Sequence, residues 1–250
     1  MLKKCAMAKK AQITLFVIIA ILIVAGVLAA LYAPRLLQNL NAPSNDQAKS
    51  AESAIDSCVE TSSENALKVI SNQGGYIMPS TYLEDGVYEM GYWYENSSDV
   101  SPELKTIELE LSDAVCIILK NCIQLDNYTI NYTKGDCNAV SQIRADYILI
   151  DINYPITIFA DKTYLFSKFS TKLDARLGKG FIIAKKLIAE QASHPDLVCL
   201  TCAADVAAEN NMLINIGSRG ESLLVNIIDN QSKVYTNQSY EFHFAMDMAR

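Results

Sequence analysis

Histidine is almost absent from this chain, with only His194 and His243 among 250 residues. His194 precedes Pro195 at a helix end, and His243 sits in a strand-like run on the side opposite Tyr240, Phe242 and Phe244. Neither has a ligand or nucleophile beside it in sequence, so histidine-rich metal centres and histidine-based triads find no footing. Basic clusters are also missing beyond the amino end. Residues 1–33 carry Lys3, Lys4, Lys9, Lys10 and no acid, which leaves 17 basic and all 28 acidic residues in the remainder, a formal charge of −11. Phosphate backbones are bound by grouped Lys and Arg, so nucleic acid is excluded as a partner. A phosphate-binding fingerprint is incomplete too. Gly178-x-Gly180 lacks a third glycine, a Lys-Ser/Thr pair and a distal acid, and it reads as a loop before a helix. Glu108, Glu110 and Asp113 share one helix and read as a solvated acidic face. With no catalytic constellation, metal set or cofactor site in view, the chain reads as a non-enzyme.

What is abundant is apolar sequence in one place. Ile13 to Ala33 is an uncharged stretch interrupted only by Thr14, Gly26 and Tyr32. About 20 apolar residues cross a bilayer as a helix. Lysines precede the stretch and only Arg35 closely follows it, which holds the amino end in the cytoplasm. The chain therefore divides into a cytoplasmic basic tail at 1–12, a transmembrane helix at 13–33, a juxtamembrane linker at 34–45 and an extracytoplasmic domain at 46–250. A cleaved secretory signal is the competing reading, because Val27-x-Ala29 and Leu28-x-Ala30 suit a signal peptidase. Apolar cores of such signals run to only about 7–15 residues, which favours a retained anchor.

The start Lys9-Lys10-Ala11-Gln12-Ile13-Thr14-Leu15-Phe16 resembles archaeal surface proteins that open with a basic pair, Gln and an apolar helix. It is also similar to archaeal pilin-type signals, which are cut just before that Gln. Those signals carry Glu five residues into the mature chain, where this sequence has Phe16. Asp56-Ser57-Cys58-Val59-Glu60 and Gln73-Gly74-Gly75-Tyr76-Ile77, followed by Tyr92-Trp93-Tyr94 and Tyr154-Pro155, resemble an uncharacterised family of archaeal single-pass membrane proteins. That resemblance implies topology and carries no activity onto any residue.

Beyond the linker, periodicity predicts a helix from about Asp46 to Asn72, closed by Gln73-Gly74-Gly75. Residues 76–101 hold five of the 13 tyrosines and the only tryptophan among glycines and polar residues, and they read as an irregular aromatic loop. Ser101-Pro102-Glu103 opens a second helix ending near Leu125. Alternation at Tyr128, Ile130 and Tyr132 and the run Tyr147–Ile152 predict strands, with a further strand after Asp161-Lys162. A helix closed by His194-Pro195, a short helix near 200–210 and strands around 211–216, 222–228 and 239–247 complete the chain. The fold class is α+β: a transmembrane helix, then a disulfide-bearing ectodomain of helices and antiparallel strands.

Setting aside cytosolic Cys5, the ectodomain holds Cys58, Cys116, Cys122, Cys137, Cys199 and Cys202. An even number facing an oxidising space fits three disulfides. Six cysteines allow 15 pairings; helical positions point to Cys58–Cys122, leaving Cys116–Cys137 and Cys199–Cys202. Cys199-Leu200-Thr201-Cys202 also has the spacing of a redox dithiol or half a zinc site. Five glycosylation sequons begin at Asn96, Asn127, Asn131, Asn230 and Asn237. Tyr88, Tyr92, Trp93 and Tyr94 form a candidate contact surface, with packing over the core as the alternative.

These features describe a membrane-anchored structural or interaction glycoprotein of the cell surface, partnered by the lipid bilayer and by a protein or glycan outside, or by copies of itself. Two alternatives stand beside it. One is a pilin-like filament subunit processed before Gln12, and the other an extracytoplasmic thiol-disulfide oxidoreductase using Cys199 and Cys202.

Overall fold

The computed structural model describes residues 46–126, 130–160, 162–195, 198–234 and 238–248. The basic tail, the apolar segment 13–33 and the linker 34–45 lie outside the described residues. Within the described residues no helix is long and apolar enough to cross a membrane. The chain divides between Lys49 and Ser50 into two units, and apart from the first turn of the opening helix the fold belongs to the second, Ser50–Arg250.

Among the described residues the elements are α1 (Asp46–Asn72), β1 (Tyr82–Asp85), β2 (Tyr88–Glu95), β3 (Ser98–Asp99), α2 (Leu104–Cys122), β4 (Asn131–Lys134), β5 (Asn138–Ile143), β6 (Ile148–Phe159), β7 (Thr163–Leu173), α3 (Leu177–Ser193), α4 (Leu200–Glu209), β8 (Leu213–Arg219), β9 (Ser222–Asp229) and β10 (Tyr240–Asp247). The architecture is α+β with largely antiparallel sheets.

Helix α1 forms because Ala51, Ile55, Val59, Ala66, Leu67 and Ile70, with the buried serines Ser62 and Ser63 between them, fall along one helical stripe, and all are buried. It stops where Gly74 and Gly75 take φ of 71° and 93°, a left-handed conformation that glycine adopts without penalty. The Gly75 amide donates to Ile70 O at 2.8 Å. A Cβ at Gly75 would lie 2.8 Å from Ile107 of α2, so the turn is also a point of close approach.

One sheet runs β1-β2-β10-β9-β8, with β3 paired to β2. Its pairs are antiparallel except β2 with β10, which is parallel. The segment read as an irregular aromatic loop is thus largely strand. Its pattern is hidden locally because buried residues follow one another at Met90-Gly91 and Trp93-Tyr94, and besides its local partners β1 and β3 it pairs with β10, some 150 residues away in sequence. The second sheet is built on β6, with β7 along one edge and β4 and β5 sharing the other. Ile148, Ile150, Ile152, Tyr154, Ile156 and Ile158 alternate onto its buried face. The expected strand Tyr147–Ile152 therefore continues to Phe159, straight through Pro155. Proline is tolerated there because it sits at a register shift opposite the break between β4 and β5, where Gly135 N donates to Pro155 O at 2.8 Å.

Other boundaries move for local reasons. Ser101 does not cap α2, since its amide and hydroxyl both bind Asp99, and the helix starts after Glu103 and ends at Cys122. Gly178 and Gly180 lie in the first turn of α3 rather than in a loop. There the backbone of α3 approaches Arg144 so closely that a Cβ at Gly178 would strike the Arg144 carbonyl.

Candidate functional site

Three disulfides join Cys58 to Cys122, Cys116 to Cys137 and Cys199 to Cys202, at sequence separations of 64, 21 and 3. This is the pairing that the helical positions pointed to. The first staples α1 to the end of α2. The second ties α2 to the gap between β4 and β5, so the helical and strand-rich halves are covalently braced. Cys58 and Cys137 pack on the apolar core and Cys116 is buried.

The acidic stretch of α2 differs from the solvated face expected of it. Glu108 accepts from Ile143 N at 2.9 Å and from Lys105, and Glu110 accepts from Ile77 N at 2.9 Å. Each carboxylate satisfies an amide at the edge of the fold and thereby pins β5 and the post-α1 turn to α2. Asp113 alone of the three is exposed.

The candidate contact surface breaks up in the same way. Trp93 is fully buried: it stacks on Phe244 at 4.8 Å, meets Phe242 and Phe181 edge-on, and donates from Nε1 to Gly74 O at 2.8 Å. Tyr94 is buried as well, so these two rings build the core and offer nothing to a partner. Tyr88 and Tyr92 are half-buried, and Tyr92 Oη is 2.9 Å from Ser222 Oγ.

Of the sequon asparagines, Asn127 and Asn237 lie outside the described residues. Asn96 occupies the exposed turn between β2 and β3, and Asn131 is exposed on β4. Asn230 is exposed, but the hydroxyl of its sequon Ser232 is buried and bound to Asp229 and to Arg176 N.

That serine belongs to a network with no sequence signature. Arg176, just before α3, is forked onto the Asp229 carboxylate, with Nε to Oδ2 at 2.9 Å and Nη2 to Oδ1, and both residues are buried. Its remaining donors reach the carbonyls of Asn210 and Asn211 at 3.3 and 3.2 Å. Burial pushes the Asp229 carboxyl up, but hydrogen bonds from Arg176, Ser232 and Gln231 outweigh it and hold the group below the usual carboxylate range. The bonds from Arg176 to Asn210 and Asn211 hold the loop between α4 and β8 against the end of β9. Only the tertiary fold brings residues 53 positions apart into this contact.

His194 pairs with Glu190 at 3.3 Å across one helical turn, and His243 lies 3.0 Å from Glu241 on β10. Among the described residues no three His, Cys, Asp or Glu side chains converge as a metal site would require. The outward face of the second sheet carries a groove of about 530 Å³, lined chiefly by Asn138, Val140, Asp151, Asn153, Lys168 and Ser170. Cross-strand registers Val140–Asp151–Ser170 and Asn138–Asn153–Lys168 place them in two rows.

At Cys199–Cys202 the chemistry is more specific. Cys199 caps α4, its Sγ accepts from Cys202 N at 3.2 Å, and Thr201 Oγ1 is 3.6 Å away. A crevice beside it is lined by Leu187, Val198, Ile216, Val225 and Met246. No family model matches the chain, and comparisons with curated proteins and with solved structures return no match.

Proposed function

We propose that the protein is a structural or interaction component of the cell surface, held by the segment 13–33 with the domain from residue 46 onward displayed outside. The observation that carries this reading is the pair of disulfides Cys58–Cys122 and Cys116–Cys137, which brace both halves of the domain. Such bonds persist in oxidising spaces and are kept reduced in a typical cytosol. The uncharged run Ile13 to Ala33 behind four lysines supplies the anchor and its direction. The reading calls for a lipid bilayer, for a protein or glycan partner or a second copy outside, and for sugar on exposed sequons such as Asn96. Shaving of intact cells with protease should remove the domain and spare the amino-terminal tail. A domain left untouched on intact cells and cut only after lysis would overturn the proposal.

A pilin-like filament subunit is the second reading. It is favoured by α1, a 27-residue helix with a single buried stripe that follows the apolar segment after a short linker. Phe16, in place of the acid that would pair with a neighbouring amino end, stands against it. The mass of the native amino end decides: a chain beginning at Gln12 supports the filament, and a chain retaining Lys3 and Lys4 eliminates it.

A further inference from the structure

We propose that Cys199–Cys202 is a thiol–disulfide exchange site, distinct in role from the two bracing disulfides, with Cys199 as its attacking sulfur and protein or small-molecule disulfides as its substrates. Three observations converge on it. The bond closes only a three-residue separation, against 64 and 21 for the others, so it constrains the unfolded chain least and its reduction releases little stability. Both cysteines lie off the apolar core, whereas each bracing disulfide packs at least one cysteine on or in it, Cys58 in one and Cys116 and Cys137 in the other. Cys199 is the cap of a ten-residue helix, where the Cys202 amide and the Thr201 hydroxyl are placed to donate to a thiolate. Glu190 borders the small crevice beside Cys199, where its charge would oppose a thiolate, and His194 lies 3.3 Å from it.

The chemistry balances within the pair and a named co-reactant. In the reduced protein the Cys199 thiolate attacks one sulfur of a substrate disulfide, forming a mixed disulfide and expelling the other sulfur as thiolate. The Cys202 thiol then loses its proton, attacks Cys199 Sγ and expels the second substrate sulfur, which restores the Cys199–Cys202 bond. Two electrons pass to the substrate, and an external dithiol restores the protein thiols by the reverse exchange.

The test equilibrates the purified protein in reduced and oxidised glutathione, quenches with acid, alkylates, and reads each cysteine by peptide mass spectrometry. Cys199 and Cys202 should become labelled at a glutathione poise at least about tenfold less reducing than the other four cysteines need, with circular dichroism unchanged. In parallel, oxidised glutathione should form a stable adduct on Cys199 in Cys202→Ser. The Cys199→Ser protein, which keeps a hydroxyl at the helix cap and hence the fold, should react at Cys202 at least about tenfold more slowly. Reduction of all three bonds together, or equal reactivity of the two single variants, would overturn the proposal. The titration of the unmutated protein decides even if a variant fails to fold.

Discussion

Replacing Asp229 by Asn preserves the shape of the side chain but leaves the Arg176 guanidinium buried without a counter-charge. Removing one partner of a buried ion pair destabilises by about 3–5 kcal/mol. The environment of Asp229 argues for that range, since its two oxygens accept from Arg176 Nε and Nη2, from Ser232 Oγ and from Gln231 N. With a urea dependence of about 2–3 kcal/mol per molar for a domain of this size, the unfolding midpoint should fall by more than about 1 M at pH 7, disulfides intact. The pH dependence gives an independent check. Because the folded carboxyl is held below its ordinary value, its contribution is complete above the unfolded pKa of about 3.9 and is lost as pH falls through the folded value. The gap between the two proteins should therefore persist at neutral pH and close in acid. Arg176→Met combined with Asp229→Leu should destabilise less than Asp229→Asn alone, because no charge is then stranded. Urea melts at several pH values measure all three quantities. A loss below about 1 kcal/mol for Asp229→Asn, or a gap that stays constant into acid, would refute the reasoning.

Three further outcomes follow from the packing. Trp93→Ala should destabilise by about 3–5 kcal/mol by urea melt, since it empties a fully enclosed site against Phe181, Phe242 and Phe244; Trp93→Phe should lose less and chiefly orphan the Gly74 carbonyl. Gly178→Ala, a change that usually stabilises a helix by about 1 kcal/mol, should here lower the thermal midpoint because the new methyl meets the Arg144 carbonyl. Double replacement of Cys58 and Cys122 by Ser should remove about 4 kcal/mol by the chain-entropy relation for a 64-residue separation, whereas the same change at Cys199 and Cys202 should remove under about 2 kcal/mol. Paired calorimetric melts measure both, and equal losses would show that loop length does not govern these bonds.

Where contacts are local in sequence, the residues announced the structure. Helices α1 and α3 and strands β9 and β10 fall close to their expected ranges, because apolar residues recur at 3.6 or 2 and, for the helices, Gly74-Gly75 and Pro195 close the run. The disulfide pairing was within reach for a related reason. Cys58 and Cys122 sit on the two helices that periodicity predicts, and CxxC places Cys199 and Cys202 one helical turn apart. Strand β2 was missed because adjacent residues are buried without a clean polar face and, although β1 and β3 pair with it locally, its parallel partner lies at the far end of the chain. Glu108 and Glu110 looked solvated because the amides they satisfy belong to Ile143 and Ile77, 35 and 33 residues away.

By itself the sequence determined the class α+β, the acidic character of the domain, the positions of most helices and strands, and the uncharged run 13–33, all of which depend on composition and short-range periodicity. Tertiary structure alone decided that Trp93 and Tyr94 are core, that Arg176 and Asp229 share a buried fork, and that Cys199–Cys202 lies off the apolar core at a helix cap while each other disulfide packs at least one cysteine on or in it. The difference has one physical origin. Hydrophobic period and turn chemistry act over a few residues, whereas burial and the pairing of charges depend on which distant segments the fold brings together.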